Sequence, residues 1–188
     1  MREKRQMRSV ASQFQTREEA DELYISGYFS VFNSNYELWE GATESIAETA
    51  FDGALADDIR CLINHESRLV LGRTKAGTLA LKTDSRGLWG EVKINPKDQD
   101  AMNLHERVKR GDVDQCSFGF DILEEEFIDN GTSIHWIIKK VRLYEVSVVT
   151  FPAYQETSVS ARKEQLSNIR KRDLDAWKEK MLRKVKGE

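Results

Sequence analysis

One serine and one histidine stand where the sequence pattern could present reactive side chains. Ser117 lies in DVDQCSFGFDI, where strand alternation places Ser117, Gly119 and Asp121 on one face and Phe118 and Phe120 on the other. A serine anchored in this way is open to a substrate, but its hydroxyl is a poor nucleophile without a neighbouring base. On the pattern alone, a buried or edge serine without chemistry is the commoner case. The motif GxSxG is absent, so an α/β-hydrolase elbow is not indicated.

Of the three histidines, His65 is the strongest candidate for that base. It ends the alternating run RCLINH, which predicts a short strand, and it precedes a polar break. Strand ends are places where rigid scaffolds present reactive groups. His105 falls in a predicted helix with polar neighbours and is expected at the surface. His135 falls in the alternating segment SIHWIIKK and is expected on the solvent face of a strand or half-buried within it.

Glu145 is the candidate for a third group. A histidine base usually needs a partner that holds its tautomer and supports its positive charge. Glu145 lies in the strongly apolar run LYEVSVV, where a lone carboxylate is costly to bury unless it has a partner. A histidine would serve as that partner. The alternative is that Glu145 faces solvent or pairs with a basic neighbour such as Arg142.

The two cysteines indicate neither a metal site nor a disulfide. Cys61 and Cys116 form no CxxC pair, and they lack zinc-ligand spacing with histidine. Both are expected to be buried free thiols, and a reducing cytoplasm favours no disulfide between them. The sequence therefore predicts neither a metal nor a cofactor.

The charge is unevenly distributed. The chain carries a net charge of −3, with +3 on residues 1–8 and +5 on residues 161–188, which leaves −11 for residues 9–160. An acidic body with basic ends argues against a nucleic-acid-binding body. The basic ends either dock onto acidic partners or are simply solvated.

The length of 188 residues fits one domain and a tail. No apolar run approaches the roughly 20 residues that span a bilayer, and no apolar segment follows the basic N-terminus, so neither a membrane span nor a secretory signal is expected. The expected location is cytoplasmic.

Alternating apolar runs predict most of the body as strands. The predicted strands are 23–33, 37–47, 60–65, 78–83, 88–94, 116–123, 134–141 and 144–150. The turn-rich segment 84–87 predicts a hairpin. Helices are predicted over 49–55 and over 98–110, the second one ended by Gly111. The pattern is typical of an α+β domain with a mostly antiparallel, strand-rich body.

The C-terminal segment predicts a basic amphipathic helix. Its apolar residues fall on one helical stripe: Leu166, Ile169, Leu174, Trp177, Met181 and Val185. Such a helix either packs back on the body or docks on a partner, and the sequence leaves both readings open.

Three segments, in this order and spacing, carry a resemblance to a known family. They are NHESRLVLGRTKAGTLALKTDSRGL (64–88), RGDVDQCSFGF (110–120) and EVSVVTFPAY (145–154), supported by GYFSVFNS (27–34) and ESIAETAFDGAL (44–55). Together they resemble the prohead proteases of tailed phages, of the HK97 type. The resemblance spans about residues 24–162.

The resemblance implies a serine endopeptidase that acts inside an immature capsid, with Ser117 as nucleophile and His65 as base. Such enzymes cleave a scaffold or the scaffold-like part of the capsid protein, and often themselves. The implied fold is similar to herpesvirus maturational proteases, with a mainly antiparallel, β-barrel-like core ringed by a few helices. Those proteases use a Ser–His–His triad. The matching position favours Glu145 here, with His135 as the fallback.

The resemblance also implies an organisation and partners. The chain divides into a basic, polar arm (1–20), a serine protease domain (21–162) and a basic amphipathic helical tail (163–188). The expected partner is the phage major capsid protein or scaffold, met in the host cytoplasm inside the assembling prohead. No nucleic acid or membrane is expected, and a homo-oligomer is left open. The alternative is a catalytically inactive scaffold or capsid-assembly binding module with the same fold.

Overall fold

The computed structural model describes residues 6–11, 14–20, 22–151 and 155–186. Residues 1–5 of the predicted arm, and residues 152–154 of the segment EVSVVTFPAY, lie outside the described residues. The chain divides into two units, one that runs to residue 153 and one that begins at residue 154. The first unit contains the sheets, and the second contains a single long helix.

The described part of the first unit contains eleven strands and one α-helix. The strands are β1 (Gln6–Ala11), β2 (Gln15–Glu19), β3 (Glu22–Val31), β4 (Tyr36–Trp39), β5 (Ala42–Ile46), β6 (Arg60–Ile63), β7 (Glu66–Arg73), β8 (Leu79–Thr83), β9 (Gly87–Ile94), β10 (Gln115–Asp129) and β11 (Ile134–Val149). The helix is α1 (Gln99–Arg110).

The strands form two sheets. One has seven strands in the order β1-β10-β11-β5-β4, with β6 paired to a later stretch of β11 and β7 paired to β6. The other is antiparallel, in the order β2-β3-β9-β8. Among the described strands, both parallel pairs include β11, which pairs with β5 and with β6. The mainly antiparallel α+β fold is therefore confirmed. The barrel-like core is not, because neither sheet closes on itself within the described residues.

A single apolar core draws on both sheets and on α1. The segment CSFGF contributes Phe118 and Phe120, whose stacked rings have centroids 4.7 Å apart, and Phe51 meets Phe118 edge-on. All three rings are buried. Burying one such ring stabilises the fold by about 1.5–3 kcal/mol. The core therefore fixes the strand that carries Ser117.

Helix α1 begins and ends at the residues that its sequence favours. The Asp98 side chain accepts hydrogen bonds from the Asp100 and Ala101 amides, and Gly111 ends the helix with a positive φ of 82°. The predicted surface position of His105 is wrong, because its ring is fully buried. Its spacing from Ala101, Leu104 and Val108 places it on the apolar face of the helix.

The second unit is helix α2 (Gln155–Lys186). The helix predicted for 163–188 therefore begins eight residues earlier, and residues 187 and 188 lie outside the described residues. Neither described α-helix combines the length and the apolar composition that crossing a bilayer requires. The short helix predicted over 49–55 is instead a series of turns that leads into a 3₁₀ turn at Ala54–Ala56.

Candidate active site

His65 lies at the tip of a two-residue turn between β6 and β7. Ile63 pairs with Glu66, so Asn64 and His65 alone form the connection. Their φ angles are 50° and 63°, which matches the two positive values that a type I′ turn requires. The left-handed backbone is unfavourable for a residue other than glycine, at a cost of about 1–2 kcal/mol. Residues held in this way cluster at functional sites.

Asn64 anchors this turn to the end of β11. Its side-chain oxygen accepts a hydrogen bond from the backbone amide of Thr150 at 2.8 Å. Its backbone amide donates a hydrogen bond to the carbonyl of Val148 at 3.0 Å. These bonds fix where the turn places His65 relative to β11.

Glu145 of β11 holds the His65 ring. The Nδ1 atom of His65 lies 2.7 Å from Oε1 of Glu145. A carboxylate can only accept a hydrogen bond, so Nδ1 carries the proton and Nε2 is left as the basic nitrogen. The side chain of Glu145 is 5% exposed, and a carboxylate so deeply buried needs such a partner. The predicted proximity of these two residues is present in the structure.

Ser147 supports the same carboxylate from within β11. Its hydroxyl donates to Oε2 of Glu145 at 2.5 Å, so both carboxylate oxygens are satisfied. Ser147 stands directly opposite Ser117 in the β10–β11 pair, and Glu145 stands opposite Gly119. Opposed residues of an antiparallel pair share a face, with Cα atoms about 4.5–5.5 Å apart. The fold therefore gathers Ser117, Glu145 and the ring that Glu145 holds on one face of the sheet.

Ser117 does not hydrogen-bond to His65 in this structure. The residue is fully buried, and its hydroxyl donates to the backbone carbonyl of Arg8 in β1 at 3.0 Å. Within the described residues, the Nε2 atom of His65 is buried and has no hydrogen-bond partner. The close approach of the Ser117 oxygen to a His65 ring nitrogen stays a prediction.

The neighbouring thiols are poor competitors for the role of nucleophile. Burial raises the pKa of the Cys61 thiol far above its ordinary range, and the negative charge of Glu145 raises it further. A thiol is reactive only as its thiolate, so Cys61 stays inert. Cys116 is also buried, and its sulfur donates to the Tyr28 carbonyl at 3.0 Å. Both cysteines are buried thiols, as the sequence predicts.

His135 lies elsewhere on β11. Its Nδ1 lies 2.7 Å from the Thr43 hydroxyl and its Nε2 lies 2.9 Å from the Ser45 hydroxyl. Glu145 lies ten positions after His135 along the strand, a distance of about 33 Å at the usual rise per residue. The structure therefore brings Glu145, and not His135, to the turn that carries His65.

Sequence reasoning did not single out Asn64, Ser147 or Arg8. A signal existed for Asn64, since asparagine tolerates the left-handed backbone of a two-residue turn. Ser147 and Arg8 reach the site because of the register in which their strands pair with β10, and a single sequence does not reveal that register. Within the described residues, no cluster of acidic, histidine and cysteine side chains forms a metal site. The arrangement that the structure does show is an imidazole held by a buried carboxylate, on a strand that pairs with the strand of Ser117. A histidine held in this way is suited to act as the base in nucleophilic catalysis.

Comparisons with known proteins confirm the resemblance found in the sequence. The family described as caudovirus prohead serine protease matches residues 11–172. The prohead protease of Enterobacteria phage HK97 is 29% identical over 158 residues, which cover 81% of this chain and 66% of that protein. The prohead protease of Escherichia phage T5 is 33% identical over 102 residues, which cover 54% of this chain and 45% of that protein. The matched part of the chain thus spans just under two thirds of the length of the HK97 protein and less than half of the length of the T5 protein.

A solved structure also shares the fold. The bacteriophage T4 capsid assembly protease superposes with a TM-score of 0.50 at 12% identity, covering 79% of this chain and 99% of that one. At this identity the likeness shows the fold alone.

Proposed function

Because the chain belongs to the caudovirus prohead serine protease family, we propose that it is a serine endopeptidase of capsid maturation, with Ser117 as nucleophile, His65 as base and Glu145 as the group that orients His65. The observation that carries this proposal is the 2.7 Å contact between His65 Nδ1 and Glu145. Glu145 lies on the same face of the sheet as Ser117, because the two residues alternate in register across the β10–β11 pair.

The proposed reaction follows from these positions. Ser117 Oγ attacks the carbonyl carbon of the scissile peptide bond while His65 Nε2 takes its proton. The imidazolium, stabilised by Glu145, then gives that proton to the leaving amine as the C–N bond breaks. A water molecule hydrolyses the acyl-serine by the same route and regenerates Ser117. The Ser117 hydroxyl must first exchange its hydrogen bond to Arg8 for one to His65.

The substrate and location are proposed from the relatives. Their names describe proteases of the prohead and of capsid assembly. The proposed substrate is the scaffold or the scaffolding segment of the major capsid protein, cut inside the assembling prohead in the host cytoplasm. We also propose self-cleavage, a similarity of fold to herpesvirus maturational proteases, and the division into arm (1–20), protease domain (21–162) and tail (163–188).

Expression of the intact chain tests this function. Wild-type protein, alone or with its capsid protein, should yield discrete fragments, which intact-mass spectrometry can assign. Ser117→Ala should abolish them, while Ser133→Ala, a matched change in an exposed turn, should leave them unchanged. Fragments that persist in Ser117→Ala would contradict the assignment.

The alternative, a binding module without catalysis, is favoured by one observation. Ser117 is fully buried and its hydroxyl is bonded to the backbone of β1. A module of this kind would bind capsid protein or scaffold as tightly in the wild type as in Ser117→Ala, and neither protein would cleave it. The cleavage experiment therefore separates the two functions.

The tail is proposed to deliver the enzyme to its substrate. Leu174, Trp177 and Val185 of α2 are each at least half exposed, and Lys and Arg residues surround them. A chain truncated after Arg162 should keep most of its Tm and still cleave supplied substrate, but should be poorly incorporated into assembling shells. A sharp fall in Tm would show that the helix is needed for folding instead.

A further inference from the structure

The strand β1 lies along the edge of the strand that carries the nucleophile. It pairs antiparallel with β10, with Ser9 opposite Ser117 and Arg8 opposite Phe118. The Ser117 hydroxyl donates to the Arg8 carbonyl at 3.0 Å. An extended segment that adds to a sheet edge beside a catalytic serine has the geometry by which peptides are bound by strand addition.

The Arg8 side chain enters the protein interior and meets a buried carboxylate. Its Nη2 atom lies 2.9 Å from Oε2 of Glu44, and its Nε atom bonds the other carboxylate oxygen. The two side chains are 5% and 1% exposed. Arginine and carboxylate meet here as a two-point fork, the geometry that distinguishes a guanidinium from other groups. Glu44 belongs to β5 and is thus held by the sheet, independently of β1.

A cavity adjoins this pair. It measures about 130 Å³, and its lining includes Arg8, Glu44, Ser30, Tyr36 and Phe118. The Ser30 side chain is fully buried, and its hydroxyl has no hydrogen-bond partner within the described residues. A buried hydroxyl without a partner is costly. The cavity therefore offers one polar contact that β1 does not use, beside the Glu44 carboxylate that Arg8 of β1 does use.

We propose that β1 occupies the substrate site of the enzyme as a substrate-like strand, and that Glu44 selects an Arg or Lys residue immediately before the bond that is cleaved. The inference rests on the proposed protease function. In a serine protease, the carbonyl that is attacked belongs to the residue whose side chain fills the first specificity pocket. Here Arg8 supplies both the carbonyl next to Ser117 and the side chain beside Glu44.

A substrate site filled by β1 explains why Ser117 is not hydrogen-bonded to His65. While β1 is in place, the Ser117 hydroxyl is directed at Arg8 and His65 Nε2 has no partner within the described residues. An incoming peptide must displace β1, so its apparent affinity falls with the fraction of molecules in which the edge is open. The Arg8–Glu44 pair sets that fraction.

Peptide binding to the Ser117→Ala chain tests the site without catalysis. The probe is a fluorescein-labelled peptide with the sequence QMRSVA, followed by anisotropy, with QMESVA as the second peptide. Adding Arg8→Ala should tighten binding of QMRSVA by about thirtyfold or more, since β1 loses its buried ion pair. Adding Glu44→Gln as well should remove that gain. Arg110→Ala, at an arginine with a 74% exposed side chain, should change nothing.

A charge exchange keeps the test decisive if Arg8→Ala fails to fold. The double variant Arg8→Glu with Glu44→Arg preserves the pair and should prefer QMESVA over QMRSVA. The proposal is overturned if this double variant binds both peptides equally, or if it still prefers QMRSVA. Binding that follows these rules in a chain whose wild type cleaves nothing would sink the protease function and leave Glu44 only as a site for a basic residue of a bound strand. Ser117-dependent cleavage with no preference for a basic residue would sink this inference alone.

Discussion

The strand β11 contacts or carries a histidine near each of its ends, and the two histidines have different partners. At the first end, Glu145 accepts a hydrogen bond from His65. At the second, His135 meets Thr43 and Ser45, one at each ring nitrogen. His135 sits in regular strand backbone, whereas His65 has a left-handed φ of 63° in a tight turn.

The partners of the two histidines explain why only one of them is suited to act as a base. A carboxylate fixes one tautomer and stabilises the protonated ring, so the far nitrogen can take and return a proton. Hydroxyls can donate or accept, so they satisfy a ring in either tautomer without favouring its charged form. Both ring nitrogens of His135 are used, whereas one ring nitrogen of His65 is left for a reaction.

Removing each histidine should separate the two ends most clearly. His65→Ala should lower kcat/KM by on the order of 10⁴-fold or more, because Ser117 loses its base. His135→Ala should leave kcat/KM nearly unchanged and lower the free energy of unfolding by about 1–3 kcal/mol, since two hydroxyls lose their partner. Steady-state kinetics and urea titration measure both. A reversed pattern would give the catalytic role to His135.

Changing the carboxylate should have a smaller effect. Glu145→Gln should lower kcat by about a hundredfold, less than the loss of Ser117 or His65, because the base remains but its tautomer and charge are no longer supported. Kinetics at saturating substrate would show it. If turnover is unchanged in Glu145→Gln while His135→Ala abolishes it, the third role belongs to His135.

The hydroxyls at the two ends should differ as well. Ser147→Ala should lower kcat by about tenfold, the equivalent of one hydrogen bond to a charged group, because Ser147 holds Oε2 of Glu145. Thr43→Val, which removes a hydroxyl from His135, should leave kcat unchanged. Equal kcat values for the two variants would mean that Ser147 has no positioning role.

The smallest effect concerns the base of the hairpin that carries His65. Hydrogen bonding from Arg73 lowers the pKa of Asp58 below its ordinary value, and the positive charge of Arg60 acts in the same direction. A carboxyl whose pKa is lowered by folding stabilises the fold above its unfolded pKa, and this contribution is lost as the pH falls through the folded pKa. Asp58→Asn should therefore lower Tm at pH 7, by an amount that shrinks in acid.

Calorimetry across pH, in low and high salt, measures this change. The groups are well exposed, so the effect should also weaken in high salt. A gap in Tm that is constant down to strongly acidic pH would show that the ion pair is not its source.

The site was partly predictable because two of its signals are local. Alternation shows that Glu145 is a charge on an apolar strand, and a short strand that ends at His65 shows an exposed tip. The contacts to Ser147 and Arg8 depend on which strands pair and in which register, and that is set by tertiary packing.

The fold was predictable where periodicity is regular and failed elsewhere. β10 and β11 run for 15 and 16 residues, but shifts of register near Phe120 and Ile122 break the alternation, so β11 was predicted as two pieces. The strands 37–47 and 60–65 were recognised only in outline. β1 and β2 were missed, because QMRSVA and QTREE carry no apolar alternation and are held by their neighbours.

Labelling with a fluorophosphonate shows whether His65 makes Ser117 a nucleophile. The reagent forms a bond with a serine oxygen only when a base activates it, and peptide mass spectrometry locates the adduct. We expect one adduct per chain, at Ser117, in the wild type and in His135→Ala, and none in His65→Ala. An adduct on another serine, or undiminished labelling of Ser117 in His65→Ala, would contradict this expectation.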